Sequence, residues 1–299
     1  MFCDSIGVVG AGTVGSALVR GFSEYSKEIR VYDIDQRKRT HSPEEVFSCD
    51  FVFVCLPTPM DENGKCDLSV IDTVFSIAQS IVGHEEMNFI LRSTVPVGTT
   101  AKYSEKFSRI IHSPEFLTAR CAGIDFCFPS RNVIGVTKNP KSHRLAGRLS
   151  ELYRKRFPGV DEYIMDSSES ELCKLTCNSF FATKVSFFNE IYSLCEKLRI
   201  NFSNVLAGAL SDGRIANSHF RVPGPDGQRG FGGACYCKDI NDLISVFNEN
   251  GVEQNVISAA WKTNLSVREN KDWLKNKSAY SGKISDEVRS EQEDEWSNK

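Results

Sequence analysis

The feature that most constrains the fold is an alternation of short apolar runs with helix-like segments over residues 5–166. The apolar runs are rich in β-branched residues and are nearly continuous, which is typical of strands buried on both faces of a sheet. The expected strands are residues 6–9, 29–34, 51–56, 88–94, 109–112, 132–136 and 163–165, with helices near 14–22, 68–82 and 140–157. The alternation therefore predicts an α/β domain with a doubly wound parallel sheet.

A long helix is predicted next, because residues 168–199 contain neither glycine nor proline. At 1.5 Å per residue such a helix is about 45 Å long. Ser168 and Glu171 match a capping box at its start. Apolar residues recur along it at alternating spacings of four and three, which is typical of a seam that packs against another helix. These residues are Phe181, Val185, Phe188, Tyr192 and Cys195. We expect this helix to connect two domains and to line the interface of a homodimer.

The remaining chain predicts a small all-α domain and a tail. A short helix is expected near 205–210, then a loop rich in glycine and proline at 222–233, then one more helix from Lys238. From about Arg268 the chain is charged and has little apolar periodicity, which indicates a solvated tail. The predicted domains are thus 1–167 with the sheet, 168–267 with the helices, and 268–299 as the tail.

Composition excludes several classes of partner. Lysine and arginine (36) nearly balance aspartate and glutamate (39), so no overall field favours nucleic acid or an anionic membrane. No apolar stretch approaches the roughly 20 residues of a membrane helix, and no signal peptide is recognised. The eleven cysteines are odd in number and lack metal-ligand spacing, so we expect free thiols, no metal site and a cytoplasmic protein.

A glycine motif follows the first predicted strand and leads into a predicted helix. Its residues are Gly10, Ala11, Gly12, Thr13, Val14 and Gly15. In this context glycines let backbone N–H groups approach a pyrophosphate, which indicates a Rossmann-type dinucleotide site; the alternative is a simple turn. Asp33 ends the second strand, where a carboxylate accepts hydrogen bonds from ribose hydroxyls and repels a 2′-phosphate. The motif therefore predicts NAD, with Asp35 as a competing acid.

Five segments carry a family resemblance: residues 54–59 (VCLPTP), 93–98 (STVPVG), 113–117 (SPEFL), 174–178 (KLTCN) and 230–239 (GFGGACYCKD). Together they resemble the UDP-glucose/GDP-mannose dehydrogenase family, in the same order and spacing from residue 6 to about 275. The resemblance implies oxidation of the primary alcohol of a nucleotide sugar, UDP-glucose, to a carboxylate in nucleotide-sugar metabolism and polysaccharide biosynthesis. It also implies cofactor contacts from Thr58 and Thr94, and Lys38 joins the glycine motif and Asp33 as a further cofactor-binding candidate.

Cys235 is the expected nucleophile. Two hydride transfers without release of an aldehyde require the substrate to be held covalently, and cysteine is suited to that task. The residue follows a glycine-rich loop and precedes a helix whose N-terminus lowers a thiol pKa. The alternative, which applies to the other ten cysteines, is a buried inert thiol.

Further roles come from the resemblance. Lys174 and Asn178, four apart on one helix face, are expected to stabilise oxyanions, although a lysine there is otherwise a solvated charge. Asp239 resembles an aspartate that assists proton transfer, with a helix cap as its alternative. Glu115 resembles an acid of thioester hydrolysis, or else is a strand-end acid facing solvent. The expected substrate contacts are Glu115, Phe116, Leu117, Lys174, Asn178, Phe231, Gly232 and, from a neighbouring subunit, Arg214.

Three departures from the family pattern qualify the resemblance. Ala119 stands where a second glutamate usually orders water, and Cys237 stands where proline is typical. The family usually continues into another nucleotide-gripping domain, which we expect this chain, ending at Lys299, to lack. Two alternatives stay open: a β-hydroxyacid-type dehydrogenase that performs one hydride transfer, and a non-catalytic cofactor-binding relic.

Overall fold

The fold was analysed in a computed structural model, which describes residues 4–26 and 28–283. The chain forms two compact units. The first contains the chain up to Thr58 and then Leu68–Lys174; the second contains Pro59–Asp67 and the chain from Leu175 onward. The division falls inside the long helix, C-terminal to the expected boundary at 167/168.

The first unit is built on a seven-stranded sheet. Its strands are β1 (Ser5–Val9), β2 (Glu28–Tyr32), β3 (Phe51–Val54), β4 (Phe89–Leu91), β5 (Ile110–His112), β6 (Asn132–Val136) and β7 (Glu162–Asp166). The spatial order is β2-β1-β3-β4-β5-β6-β7, so the chain reverses direction across the sheet between β1 and β3. Neighbouring strands are parallel except β5 and β6, which pair antiparallel through His112 and Gly135. The expectation of a doubly wound Rossmann-type sheet is confirmed, with this one antiparallel step added.

Six helices accompany the sheet: α1 (Thr13–Phe22), α2 (Pro43–Phe47), α3 (Ser69–Gln79), α4 (Thr99–Ser104), α5 (Ala122–Cys127) and α6 (Pro140–Arg156). Alternate residues of the same strands face two separate cores, as the period of two in a strand requires. Phe53 packs with Phe22 and Phe157 in one core. Phe89 packs with Phe75 and Phe107 in the other. Both faces of the sheet are thus covered.

The long helix α7 (Ser167–Leu198) begins directly after β7, and its predicted capping box is wrong. The Ser168 N–H donates to Asp166 Oδ1, and the Asp166 N–H donates to Glu169 Oε2. Glu169 therefore caps the Asp166 N–H, and Asp166 caps the Ser168 N–H, so the capping bonds are centred two residues upstream of the expected pair. The carboxylate of Glu171 is used elsewhere, because it accepts hydrogen bonds from the start of α4.

The second unit is helical and contains α8 (Phe202–Leu210), α9 (Tyr236–Glu249), α10 (Asn255–Val267) and the C-terminal part of α7. Two helices therefore stand where one was expected after Lys238; they are separated by a turn at Gly251, whose φ is +66°. The core of the unit includes Ala182, Phe231 and Ile240, and the partly buried Trp261 packs against it.

The described part of the solvated tail expected at 268–299 is exposed at many positions but is anchored at three. Arg268 and Trp273 are buried, and Ala279 is fully buried. Trp273 packs on Trp261 at a ring-centroid distance of 5.6 Å. Indole burial thus anchors a segment whose sequence has no apolar periodicity. Residues 284–299 lie outside the described residues.

The seam predicted on α7 is packed within the chain. Phe188 and Cys195 are buried, Val185 contacts the core of the second unit, and the Tyr192 ring lies 5.2 Å from that of Phe202. This seam therefore does not itself supply an exposed interface. No helix of the described chain has the length and apolarity needed to cross a bilayer.

Candidate functional site

The glycine motif forms the turn from β1 into α1, beside the point where the sheet changes direction. Gly10 has φ +91°, and a Cβ there would lie 2.5 Å from the carbonyl oxygen of Cys55. A Cβ on Gly15 would lie 1.9 Å from the Gly10 oxygen, so only glycine allows this approach of helix to strand. At Gly12 a Cβ would meet nothing within 4 Å, and α1 starts there without a side-chain cap. This open helix N-terminus, which includes Thr13 and Val14, fits a pyrophosphate.

Asp33 contacts the glycine loop directly. Its Oδ2 accepts a hydrogen bond from the Ala11 N–H at 2.6 Å, and its Oδ1 accepts from the Asp35 N–H at 2.8 Å. Asp35, by contrast, is paired with Arg37 at 2.9 Å, and this hydrogen bond lowers the pKa of Asp35. Of the two acids, Asp33 is therefore the one joined to the loop. Lys38 is exposed nearby, with its backbone N–H bonded to the Asp35 oxygen.

Thr58 and Thr94 lie in loops that follow β3 and β4. The Thr58 hydroxyl donates to the Thr94 carbonyl oxygen at 2.7 Å. The Ser93 hydroxyl also bridges the loops, since it donates to the Leu56 oxygen and accepts from the Leu56 N–H. Both loops start at the carboxyl ends of parallel strands, where open α/β sheets bind ligands. The two threonines are thus held together at this edge.

Glu115 and Lys174 form a nearly dry ion pair in the first unit. The Lys174 Nζ lies 3.3 Å from Glu115 Oε1, and the two side chains are 3% and 12% exposed. Glu115 Oε2 accepts from the Leu117 N–H at 2.5 Å. The ammonium also lies 5.2 Å from the centre of the Phe116 ring. The alternatives considered from the sequence, a solvated Lys174 and a solvent-facing Glu115, therefore do not describe these residues. Ala119 is exposed and starts a 3₁₀ turn.

Cys235 is exposed at the N-terminal boundary of α9 in the second unit. The loop before it is held from outside. Asn189 Oδ1 accepts from the Gly230 N–H, and Asn264 both accepts from the Phe231 N–H and donates to the Phe231 oxygen. Asp272 Oδ2 accepts from the Gly233 N–H at 2.8 Å. These bonds fix the backbone that leads to the thiol.

Asp239 is the centre of a buried polar cluster in the first turn of α9. Its Oδ2 accepts from the Asn178 side-chain amide at 2.5 Å, and its Oδ1 accepts from Lys238 Nζ at 2.5 Å. Burial acts to lower the pKa of Lys238. The negative charge of Asp239, together with other neighbouring groups, has the larger effect, so the pKa of Lys238 is raised. The carboxylate is therefore more than a helix cap, because it joins α9 to α7.

The other predicted substrate contacts of the second unit lie as follows. Phe231 is in the core, and a Cβ on Gly232 would lie 2.2 Å from Asp272 Oδ1. Arg214 is exposed, and its guanidinium makes three hydrogen bonds to the Asp212 carboxylate. Cys237 is fully buried with its thiol directed at the Phe231 oxygen, and burial raises its pKa. Cys237 is thus a structural thiol.

Sequence reasoning missed four residues that position the site: Glu171, Asn189, Asn264 and Asp272. The two asparagines lie in helices and are buried, so a polar residue on an apolar helix face was the signal available. Among the described residues, no group of three or more His, Cys, Asp or Glu is placed to hold a metal ion.

Two protein-family models match the chain. One, the NAD binding domain of the UDP-glucose/GDP-mannose dehydrogenase family, matches residues 37–156, and the other, the central domain of that family, matches residues 168–266. The chain belongs to the UDP-glucose/GDP-mannose dehydrogenase family. The expected recognition is confirmed, and NAD is the cofactor of this family's N-terminal domain. The glycine motif and Asp33 precede the matched range, so their assignment depends on the geometry above.

Individual relatives agree with this family. UDP-glucose 6-dehydrogenase from Campylobacter jejuni is 30% identical over 86% of this chain and 71% of that protein. The enzyme of the same name from Rickettsia conorii is 34% identical over 74% of this chain and 50% of that protein. The chain thus spans about half to seven-tenths of the length of these family members.

Solved structures share the fold. A UDP-glucose dehydrogenase from Pyrobaculum islandicum superposes with a TM-score of 0.77 at 25% identity, covering 88% of this chain and 68% of that one. A 3-hydroxyisobutyrate dehydrogenase from Mycobacterium tuberculosis gives a TM-score of 0.68 at 17% identity, covering 89% and 94%. The likeness to the 3-hydroxyisobutyrate dehydrogenase concerns the fold alone. The five sequence segments that resemble the UDP-glucose/GDP-mannose dehydrogenase family distinguish this chain from a member of that other group.

Proposed function

We propose that this chain is an NAD-dependent nucleotide-sugar dehydrogenase that oxidises the primary alcohol of UDP-glucose to a carboxylate. The observation that carries the proposal is the exposed thiol of Cys235, which follows a braced glycine loop and lies one helical turn before buried Asp239. Family membership supports the reaction class, and the names of the relatives suggest the sugar.

The reaction removes four electrons in two steps. NAD, when bound at the glycine loop, supplies the hydride acceptor for each step. After the first oxidation, the Cys235 sulfur adds to the aldehyde carbon, forming a C–S bond and a thiohemiacetal. Loss of the second hydride and the hydroxyl proton gives a thioester. Water then attacks the carbonyl carbon, the C–S bond breaks, and the carboxylate and the thiol are released.

The polar side chains have distinct roles in this proposal. Lys174 and Asn178 donate hydrogen bonds to the oxygen that becomes negative when sulfur or water adds. Asp239, already bonded to Asn178 and Lys238, orients the amide and takes part in proton transfer. Glu115, held by Lys174 and the Leu117 N–H, assists the water, and Thr94, which belongs to the same unit, is proposed to help position that water.

Three further groups are proposed to bind or position the substrate without taking part in bond changes. Phe116 and Leu117 follow Glu115 and contact the sugar through the backbone and ring. Arg214, whose guanidinium is oriented by Asp212, binds the diphosphate of a partner subunit's substrate, because guanidinium pairs bidentately with phosphate. Phe231 and Gly232 act by shaping the loop before Cys235.

The decisive experiment measures NADH released per UDP-glucose consumed. The expected yield is two, and Cys235→Ser should lower the rate by at least about a thousandfold, because a hydroxyl is a far poorer nucleophile than a thiolate. Cys121→Ser is the matched control, since that thiol is also exposed, and it should keep the wild-type rate. NAD affinity should be unchanged in both variants.

Other results would point to the alternatives. One NADH per substrate, with Cys235→Ser fully active, would favour a β-hydroxyacid-type reaction centred on Lys174. NAD binding without turnover of any nucleotide sugar would favour the non-catalytic relic.

A further inference from the structure

A cavity of about 220 Å³ lies within the first unit, between the segment after β5, the start of β6 and helix α6. The apolar part of its lining includes Phe116, Phe126, Phe128 and Phe157. The polar part of the lining includes Arg92, Ser113 and Tyr153, which are joined by hydrogen bonds. The roles proposed above for Glu115, Phe116 and Leu117 account for one part of this lining and leave Arg92, Tyr153 and Phe157 unexplained.

Arg92 is a buried charge without an acidic partner. Arg92 is only 8% exposed. Its Nη1 donates hydrogen bonds to the Tyr153 hydroxyl at 3.0 Å and to the Ser113 hydroxyl at 3.4 Å. Its Nε is buried without a hydrogen-bond partner, and the two carboxylates that share the cavity lining with it, Glu115 and Asp125, form no ion pair with the guanidinium among the described residues. A buried charge without a counter-charge is strongly unfavourable, so this guanidinium is suited to an anion from outside.

The two carboxylates in the cavity lining are already engaged. Glu115 is paired with Lys174, and Asp125 Oδ2 accepts from the Thr118 N–H at 2.6 Å. Their negative charges disfavour a dianion more than a monoanion, because like-charge repulsion scales with the ligand's charge. Aromatic walls favour a ligand with an apolar body.

We propose that this cavity binds a small organic monoanion, with a carboxylate group on Arg92 and an apolar body among the phenylalanine rings. A guanidinium pairs with a carboxylate through two parallel hydrogen bonds, and Nε with an Nη is one of the edges that make such a pair. The bound acid would contact Phe116 and Arg92. Phe116 directly follows Glu115 in the sequence, and Arg92 directly precedes Ser93 and Thr94. The cavity shares Glu115, Phe116 and Leu117 with the proposed substrate contacts, and it extends beyond them to Arg92, Tyr153 and Phe157.

Calorimetric titration of the full chain, without NAD or sugar, tests the proposal. Benzoate is the probe, benzamide is its neutral match in size and shape, and inorganic phosphate is an anion without an apolar body. Benzoate should bind at least about tenfold more tightly than either, since a charged hydrogen bond contributes more than a neutral one. Arg92→Met, which keeps an unbranched apolar side chain but removes the guanidinium, should weaken benzoate at least tenfold. Arg109→Met is the control because Arg109 pairs with Glu86 away from the cavity lining, and it should retain wild-type affinity.

Three results would overturn the proposal: no benzoate binding to the wild-type chain, equal binding of benzoate and benzamide, or unchanged benzoate affinity in Arg92→Met. Phosphate binding as tightly as benzoate would contradict the apolar body. The comparison of the three probes uses the wild-type chain and so stands even if the Arg92 variant does not fold. Because no turnover is measured, failure here is separate from failure of the proposed reaction.

Discussion

The candidate site depends on charged side chains that are taken out of water and given partners. Lys174 with Glu115, and Lys238 with Asp239, are buried pairs whose members also make hydrogen bonds to neutral groups. Removing one member of such a pair leaves the other charge buried alone, which is strongly destabilising. At this scale, conservative variants that keep size and hydrogen bonding therefore separate chemistry from folding better than alanine does.

Asp33 should select NAD over NADP, because its carboxylate would repel a 2′-phosphate next to the glycine loop. The wild-type chain is expected to bind NAD at least about tenfold more tightly, or about 1.4 kcal/mol. Asp33→Asn, which keeps an acceptor for the Ala11 N–H, should reduce that preference. Asp35→Asn should not, since Asp35 is paired with Arg37. Equal affinities of the wild-type chain for the two cofactors in a fluorescence titration would refute the assignment.

His112 should make the protein sensitive to acid. Burial lowers its pKa to about 3, with the charges of Arg92 and Lys174 acting in the same direction. An unfolded histidine titrates near 6.5, so unfolding takes up a proton between these values and stability falls as the pH drops through that window. The expected loss is on the order of 1 kcal/mol per pH unit.

Urea unfolding at pH 7 and pH 5 measures this effect. His112→Gln should reduce the difference between the two pH values, because glutamine does not titrate. His84→Gln, at a less buried histidine, should leave the difference unchanged. Identical pH dependence in wild type and His112→Gln would show that His112 is not the linked group.

Among the secondary-structure elements, α7 connects to α4 through a single carboxylate. Glu171 Oε2 accepts from the Gly98 N–H at 2.6 Å, and its Oε1 accepts from the Thr100 N–H and hydroxyl at 2.7 and 2.6 Å. The carboxylate therefore satisfies N–H groups at the start of α4, directly after the loop that carries Thr94.

Glu171→Gln should lower the free energy of unfolding by about 1–3 kcal/mol, because an amide replaces one acceptor oxygen with a donor and leaves a buried N–H unsatisfied. Glu169→Gln is the control: its exposed side chain accepts one bond, which glutamine can still accept. The control should lose less than about 1 kcal/mol in chemical denaturation. Equal decreases in the free energy of unfolding of the two variants would mean that the three hydrogen bonds to Glu171 do not stabilise the fold.

The sequence predicted elements well where one local pattern decides them. All seven strands were expected, because nearly continuous apolar runs have few other solutions in an α/β chain. The antiparallel step at β5 and β6 was not, since apolar patterning carries no information on strand direction. On α7, periodicity indicated a seam at Phe181 and Phe188 but could not distinguish a face covered by the same chain from one left exposed.

The site shows the same division between local and distant information. Spacing placed Lys174 and Asn178 on one helix face, and the glycine motif and Asp33 came from adjacent elements. The bonds that brace the loop before Cys235 come from Asn189, Asn264 and Asp272, far away in sequence. Their function exists only in the folded chain, so no local pattern could predict it.

At the scale of the whole molecule, an apolar stripe remains exposed on α7. Phe180, Phe187, Leu194 and Leu198 are each more than half exposed, and their spacings of seven and four place them along one face. A contiguous exposed apolar stripe is typical of an interface. We therefore propose that homodimerisation, predicted from the sequence for the neighbouring seam, uses this stripe.

Phe187→Glu should convert the dimer into a monomer, because it places a charge in the middle of the stripe where the partner would exclude water. Val82→Glu is the control, at a fully exposed valine in the first unit, and should remain dimeric. Light scattering at micromolar concentration measures both. A wild-type chain that is monomeric under these conditions would contradict the interface.

The brace around the Cys235 loop has an evolutionary consequence. Asn189, Asn264 and Asp272 bind backbone atoms of Gly230, Phe231 and Gly233, and backbone atoms are the same whatever side chains the loop carries. The braces also lie so close to the loop that they restrict its composition, because a Cβ on Gly230 would lie 2.3 Å from Asn264 Oδ1 and one on Gly232 would lie 2.2 Å from Asp272 Oδ1. The selective constraint therefore falls on the loop glycines and the bracing residues together. A library that randomises exposed positions elsewhere in the second unit should thus retain more functional members than one that randomises either the loop glycines or the braces.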